Sequence, residues 1–207
     1  MSAPAFIVKI CGITNETDAR IALDAGANAL GFNFYKNSPR YIAPRRAREI
    51  AQAVSGDYLK VGIFVKASEA ELLRVMNEAP LDVAQLHGDS VALPSAQGVR
   101  VWRALPAAAP APPAYPGIEA YLLDSPSLLY GGSGDTFDWR LAAAFPHRAI
   151  IAGGLDASNV AEAIRVASPW GVDACSRLEA SPGKKDLQRV RDFVRAALEA
   201  VGQEVNL

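Results

Sequence analysis

Eight times along this 207-residue chain a short apolar run gives way to a polar or glycine-bearing loop, and in most cases an amphipathic stretch follows. The runs lie at 6–10, 29–34, 59–65, 83–86, 99–105, 120–123, 149–152 and 172–175. Strands buried on both faces read as near-continuous apolar runs, and joining parallel neighbours takes a crossover of a dozen or more residues. The pattern therefore predicts an α/β protein: a single-domain (β/α)8 TIM barrel over residues 1–207, at the low end of the size range for that fold. Helices are predicted at 15–25, 45–54, 69–78, 138–145, 158–167 and 187–201, with a poorly defined one at 91–97. Thr14 is the expected cap of the first and Gly26 its stop; Pro44 opens the second and Ser68 caps the third. Residues 106–117, rich in Ala and Pro, read as a surface crossover with little helix. The competing architecture is an open doubly wound sheet. Against it, the Gly-Gly pairs follow the sixth and seventh runs rather than the first, so the dinucleotide fingerprint is missing.

Composition narrows the function. A net charge of −1 gives no electrostatic reason to expect nucleic acid or an anionic membrane as partner. Cys11 and Cys175 are the only cysteines and there are two histidines, which excludes a disulfide framework and Cys-His zinc spacing. The N-terminus has no basic region followed by an apolar stretch, and no run approaches membrane-spanning length. These features predict a soluble cytoplasmic protein without metal or cofactor, working as a monomer or homodimer on a small molecule.

In a barrel the working residues come from the carboxyl ends of the strands. The first run, Phe6-Ile7-Val8-Lys9-Ile10-Cys11, places Ile7, Lys9 and Cys11 on one face and Phe6, Val8 and Ile10 on the other. Cys11 is then either a packed thiol or a nucleophile or base. Each other strand end leaves a similar choice. Asp124 either caps the turn into Ser125-Pro126 or acts as an acid. Arg40, behind Asn33, is solvated or binds an anion. His87 reads as a structural hydrogen-bonding residue. Gly131-Gly132-Ser133-Gly134 is a plain flexible loop or a closing lid. Gly153-Gly154 and Ser176-Arg177 follow strands seven and eight, where such barrels cradle phosphate with backbone N–H groups and a short helix, for which 176–180 has the right length. A carboxylic acid, a thiol and an arginine with no cofactor motif suggest proton transfers, hence an isomerase or lyase of a phosphorylated sugar.

Seven motifs carry a resemblance: Lys9-Ile10-Cys11-Gly12-Ile13-Thr14, Ser38-Pro39-Arg40-Tyr41-Ile42, Gln85-Leu86-His87-Gly88-Asp89, Leu122-Leu123-Asp124, Gly131-Gly132-Ser133-Gly134 with Phe137-Asp138-Trp139, Ala152-Gly153-Gly154-Leu155, and Ser181-Pro182-Gly183-Lys184-Lys185-Asp186. In this order, over almost the whole chain, they resemble the phosphoribosylanthranilate isomerase family. The resemblance implies an Amadori rearrangement in tryptophan biosynthesis, converting phosphoribosylanthranilate to 1-(2-carboxyphenylamino)-1-deoxyribulose 5-phosphate. It implies Asp124 as the general acid, Cys11 as the general base, Arg40 on the anthranilate carboxylate, and the Gly153-Gly154 and Ser176-Arg177 loops on the phosphate.

That chemistry makes physical demands. Asp124 needs burial to stay protonated, and Cys11 needs an electropositive neighbour, for which Lys9 is the candidate. One departure stands out. The family usually carries Ser-Ser-Gly-Val-Glu where this chain has Cys175-Ser176-Arg177-Leu178-Glu179. Arg177 adds a charged phosphate contact or points to solvent, and Cys175 reads as packing. A Cys11–Cys175 disulfide is conceivable between neighbouring strands but disfavoured in a reducing compartment. The alternatives are the related histidine-pathway isomerase, which resembles a pair of aspartates, and a barrel that binds a phosphorylated ligand without turnover.

Overall fold

The computed structural model describes residues 5–88, 99–125 and 136–204. Eight parallel strands close into a barrel in chain order: β1 Ile7–Cys11, β2 Ala29–Asn33, β3 Leu59–Val65, β4 Val83–His87, β5 Arg100–Pro106, β6 Ile118–Asp124, β7 Ala149–Ile151 and β8 Gly171–Ala174. The β1–β8 pairing, with Lys9 opposite Asp173 and Ile10 opposite Ala174, closes the ring and removes the open-sheet alternative. Closure depends on Gly171. A Cβ there would lie 2.5 Å from Ile7 Cβ and 2.7 Å from the Ile7 carbonyl oxygen.

Alternation sorts the strands' side chains into two layers. Ile7, Leu59, Val61, Val83, Trp102, Leu122 and Ile150 fill the barrel interior, while Val8, Ile10, Leu30, Phe32 and Phe64 pack outward against the helices. The polar residues at the upper end of the inward face, Lys9, Gln85, His87 and Asp173, are also buried. That is the end where the site lies.

The helices are α1 Glu16–Asp24, α2 Pro44–Ala53, α3 Glu69–Glu78, α4 Arg140–Ala143, α5 Val160–Ala167 and α6 Leu187–Glu204. The cap of α1 is Asn15, not Thr14. Asn15 Oδ1 accepts from Asp18 N at 2.9 Å, while the Thr14 hydroxyl donates to the Gly183 carbonyl. Ser68 caps α3 as expected. Two helices are shorter than their apolar patterns. In α4 the Asp138 carboxylate takes the Arg140 N–H at 3.1 Å, and Phe145 precedes a proline, which disfavours helical geometry. Before α5, Asp156 accepts from Ser158 N at 2.8 Å in a turn that delays the helix to Val160. Residues 107–117 hold no helix. The helix predicted at 91–97 and the glycine loop Gly131–Gly134 lie outside the described residues.

An unforeseen element follows β8. A 3₁₀ turn, Ser176–Leu178, leads into a two-stranded hairpin of β9 Glu179–Ser181 and β10 Lys184–Lys185. The hairpin is anchored to α1, because Lys185 N donates to Asp18 Oδ2 at 2.8 Å. Among the described residues no helix is long and apolar enough to cross a membrane.

Candidate active site

A cavity of about 500 Å³ opens at the carboxyl end of the barrel. Cys11, Asn33, Arg40, His87, Asp124, Gly153, Gly154, Ser176 and Arg177 all line it, so the residues singled out in the sequence and described here meet in one place. The strand alternation explains this: Cys11, Asn33, His87 and Asp124 each end a strand on its inward face.

On the β1–β8 side of the cavity Lys9 Nζ donates to Asp173 Oδ2 at 2.8 Å, with the lysine side chain fully buried. Burial opposes the lysine's charge, but the facing Asp173 carboxylate outweighs it and the pKa ends above the ordinary lysine value. This pair ties β1 to β8 at a depth where either charge alone would be costly.

Above it, Cys11 at the end of β1 and Cys175 just past β8 both line the cavity, and the Cys175 thiol reaches Glu179 Oε1 at 3.9 Å and Lys185 Nζ at 3.8 Å. Both thiols are free. The Cys11 thiol is pushed well above its ordinary range by its neighbour Cys175 and by burial, against the pull of Lys9. Cys175 is lowered to about 7 by its neighbour Cys11 together with Lys185 and Arg40, against burial. Lys9 does pull the Cys11 thiol down, as expected of an electropositive neighbour, but Cys175 and burial outweigh it.

Asp124 ends β6 across the cavity. Burial, and then the Asp173 carboxylate, raise its pKa from 3.8 to about 6, against the hydrogen bonds from Ser125 and the charge of Lys9. The Ser125 hydroxyl reaches Asp124 Oδ1 at 3.4 Å. Gly153, at φ +83°, lets the β7 loop lie against this carboxyl, since a Cβ would come within 2.7 Å of Asp124 Oδ1. Gly154, at φ +59°, continues the same left-handed backbone.

Arg40 is not an unengaged arginine. Its Nε donates to Glu179 Oε1 at 2.9 Å and its Nη2 to Oε2 at 2.7 Å, a two-point fork in which Nη1 takes no part. Lys185 Nζ completes the Glu179 carboxylate at 3.1 Å. These bonds outweigh burial and hold Glu179 below the usual carboxylate range. The loop bearing Arg40 is set by Asn33, whose Oδ1 accepts from Tyr35 N, and by Ser38, whose Oγ accepts from Arg40 N at 3.1 Å. His87 shares a 2.9 Å hydrogen bond with Gln85, and burial, then Lys9, lower its pKa to about 4. It is neutral near pH 7, in keeping with a structural role.

The Ser176–Leu178 turn supplies the short helical turn expected over 176–180. Arg177 neither simply points away nor stands alone: its Nη1 meets Asp156 Oδ2 at 3.1 Å across the cavity rim. Asp173, Lys185 and Asp156 were not singled out in the sequence. The one local signal for Asp173 is an acid inside the otherwise apolar run Val172-Asp173-Ala174, in register with a lysine in the paired strand.

Residues 8–196 match the family model described as N-(5'phosphoribosyl)anthranilate (PRA) isomerase. The chain is 50% identical over 205 residues to the N-(5'-phosphoribosyl)anthranilate isomerase of Solibacter usitatus, covering 95% of this chain and 99% of that protein. It is 44% identical over 201 residues to the Rubrobacter xylanophilus isomerase, covering 92% and 98%. The solved phosphoribosyl anthranilate isomerase of Thermus thermophilus superposes with a TM-score of 0.84 at 36% identity, covering 94% and 99%. Another, solved with reduced 1-(o-carboxyphenylamino)-1-deoxyribulose 5-phosphate, gives 0.77 at 32% identity over the same shares. Fold, sequence and relatives agree over nearly the full length: the chain belongs to the N-(5'-phosphoribosyl)anthranilate isomerase family, isomerases of tryptophan biosynthesis.

Proposed function

We propose that the barrel mouth carries out the Amadori rearrangement by general acid–base catalysis, with Asp124 as acid and Cys11 as base. Asp124 donates its proton to the furanose ring oxygen, the C1'–O bond breaks, and the anilinic nitrogen's electron pair closes a Schiff base. Cys11, as thiolate, takes the C2' proton; the C2'–H electrons form the C1'–C2' double bond of an enolamine, which tautomerises to the ketone. The observation that carries this reading is a carboxyl kept partly protonated near neutrality in the same cavity as the Cys11 thiol, the two ending different strands of the barrel.

The other roles follow from charge and backbone freedom. The Gly153-Gly154 turn and the 3₁₀ turn at Ser176 offer N–H groups to the phosphate, and Arg177 adds a cation steadied by Asp156. Arg40, with Nη1 outside its fork to Glu179, faces the anthranilate carboxylate. Asp173 Oδ1, buried without a hydrogen-bond partner among the described residues, would be satisfied by a ribose hydroxyl. The same reading takes residues 1–207 as one domain acting in the cytoplasm, as a monomer or homodimer.

The test is the fluorescence decay of freshly generated phosphoribosylanthranilate with wild type, Cys11→Ser and Asp124→Val. Both folded variants should lose on the order of 10²–10⁴-fold in kcat/KM. Full activity in either would return that residue to a packing role.

A further inference from the structure

Arg40 is the cation assigned above to the anthranilate carboxylate, and its guanidinium is held by a residue to which that scheme gives no role. We propose that Glu179 is a positioning residue for substrate recognition: it fixes the plane and direction of the Arg40 guanidinium so that Nη1 meets the substrate's carboxylate. The proposal rests on the reading of Arg40 as that carboxylate's partner.

The contacts divide the guanidinium's donors between two tasks. Nε donates to Glu179 Oε1 at 2.9 Å and to Oε2 at 3.1 Å, and Nη2 donates to Oε2 at 2.7 Å. A planar fork held at two nitrogens cannot turn, whereas an unheld arginine samples many rotamers. Arg40 lines the cavity, but Glu179 is not among the described residues that do, and its side chain is only 4% exposed. Its influence on a substrate there runs through Arg40. Glu179 is in turn fixed from its own hairpin. Lys185 Nζ, fully buried, donates to Oε1 at 3.1 Å, Gly183 N adds a donor at 3.3 Å, and Lys185 N ties the hairpin to Asp18 of α1 at 2.8 Å. The support thus stands without help from the residue it supports. A carboxylate so close to Arg40 would also blunt its attraction for a second anion. Lys185 takes a share of the Glu179 charge, so Arg40 keeps more of its own for the substrate.

Steady-state kinetics with phosphoribosylanthranilate test this through the sign of one substitution. Glu179→Gln removes a negative charge near the substrate's carboxylate and loosens the fork, because an amide accepts through one oxygen only. Charge alone would lower KM, while lost positioning raises it. KM should rise about tenfold, on the order of one lost charge-assisted hydrogen bond, with kcat within about twofold because binding rather than the proton transfers is touched. In an Arg40→Ala background the same substitution should leave KM within about twofold of Arg40→Ala alone, since the group it positions is gone. If Glu179→Gln does not fold, the double variant Glu179→Gln, Lys185→Met leaves no buried ammonium without a carboxylate and should show the same dependence on Arg40. A KM that falls or stays put in the folded variant would overturn the proposal. An equal rise with and without Arg40 would overturn it too, making Glu179 a general support of the hairpin. An unchanged KM in Arg40→Ala alone would overturn the reading of Arg40 itself, and this inference with it.

Discussion

An acid that must donate a proton near neutrality has to be kept from water, and Asp124 bears that cost in stability. Its pKa rises from 3.8 to about 6 through burial and the facing Asp173. A carboxyl raised on folding favours the native state below the unfolded value, and the advantage is lost as the pH climbs through the folded one. Asp124→Asn removes this dependence. Its stability relative to wild type should therefore increase between pH 4 and pH 7 by up to about 3 kcal/mol, at about 1.36 kcal/mol per pH unit. Urea unfolding at the two pH values measures it, and a difference that does not change would place the carboxyl in water. At this scale Cys11 and Asp124 were legible, because each ends an apolar run where barrels carry chemistry. Lys185 was not, because a lysine in Gly183-Lys184-Lys185-Asp186 reads as solvated until the hairpin buries one of the pair.

Between elements, the charges of β1 and β8 do what neither strand could do alone. Lys9 and Asp173 sit directly opposite in the parallel ladder and are 0% and 7% exposed. Removing one member leaves an uncompensated buried charge, so Lys9→Met should cost about 3–5 kcal/mol. The double variant Lys9→Met, Asp173→Leu should recover most of that loss in the denaturation midpoint; no recovery would mean the cost lies in packing. Most strands were read to within a residue or two, since their apolar runs are bounded by loops. The helix starts went astray where side chains compete for backbone N–H groups: Asn15 takes the cap from Thr14, and Asp156 defers α5. The β9–β10 hairpin has no apolar run to announce it, because it is held by Glu179, Lys185 and Asp18 rather than by a core.

The barrel as a whole depends on the join between its first and last strands. Gly171 stands where any side chain would meet the Ile7 backbone, which cannot move without shifting β1. Gly171→Ala should cost about 1–3 kcal/mol, read as a lower urea midpoint with unchanged slope. An unaffected midpoint would mean the β1–β8 seam opens easily. Only closure brings Cys11 beside Cys175 and both into one cavity with Asp124.

The order of apolar runs and loops determined the architecture, because a strand buried on both faces leaves a local signal that needs no partner to be read. The seven motifs determined the family and the residues to watch. What tertiary structure alone decided were the partnerships: Arg40 forked on Glu179, Cys175 against Lys185, Lys9 on Asp173. Each joins residues more than a hundred positions apart, except the Cys175–Lys185 contact that the hairpin folds back. Charges take their strength and their protonation from such neighbours, and a linear chain does not show who those neighbours are.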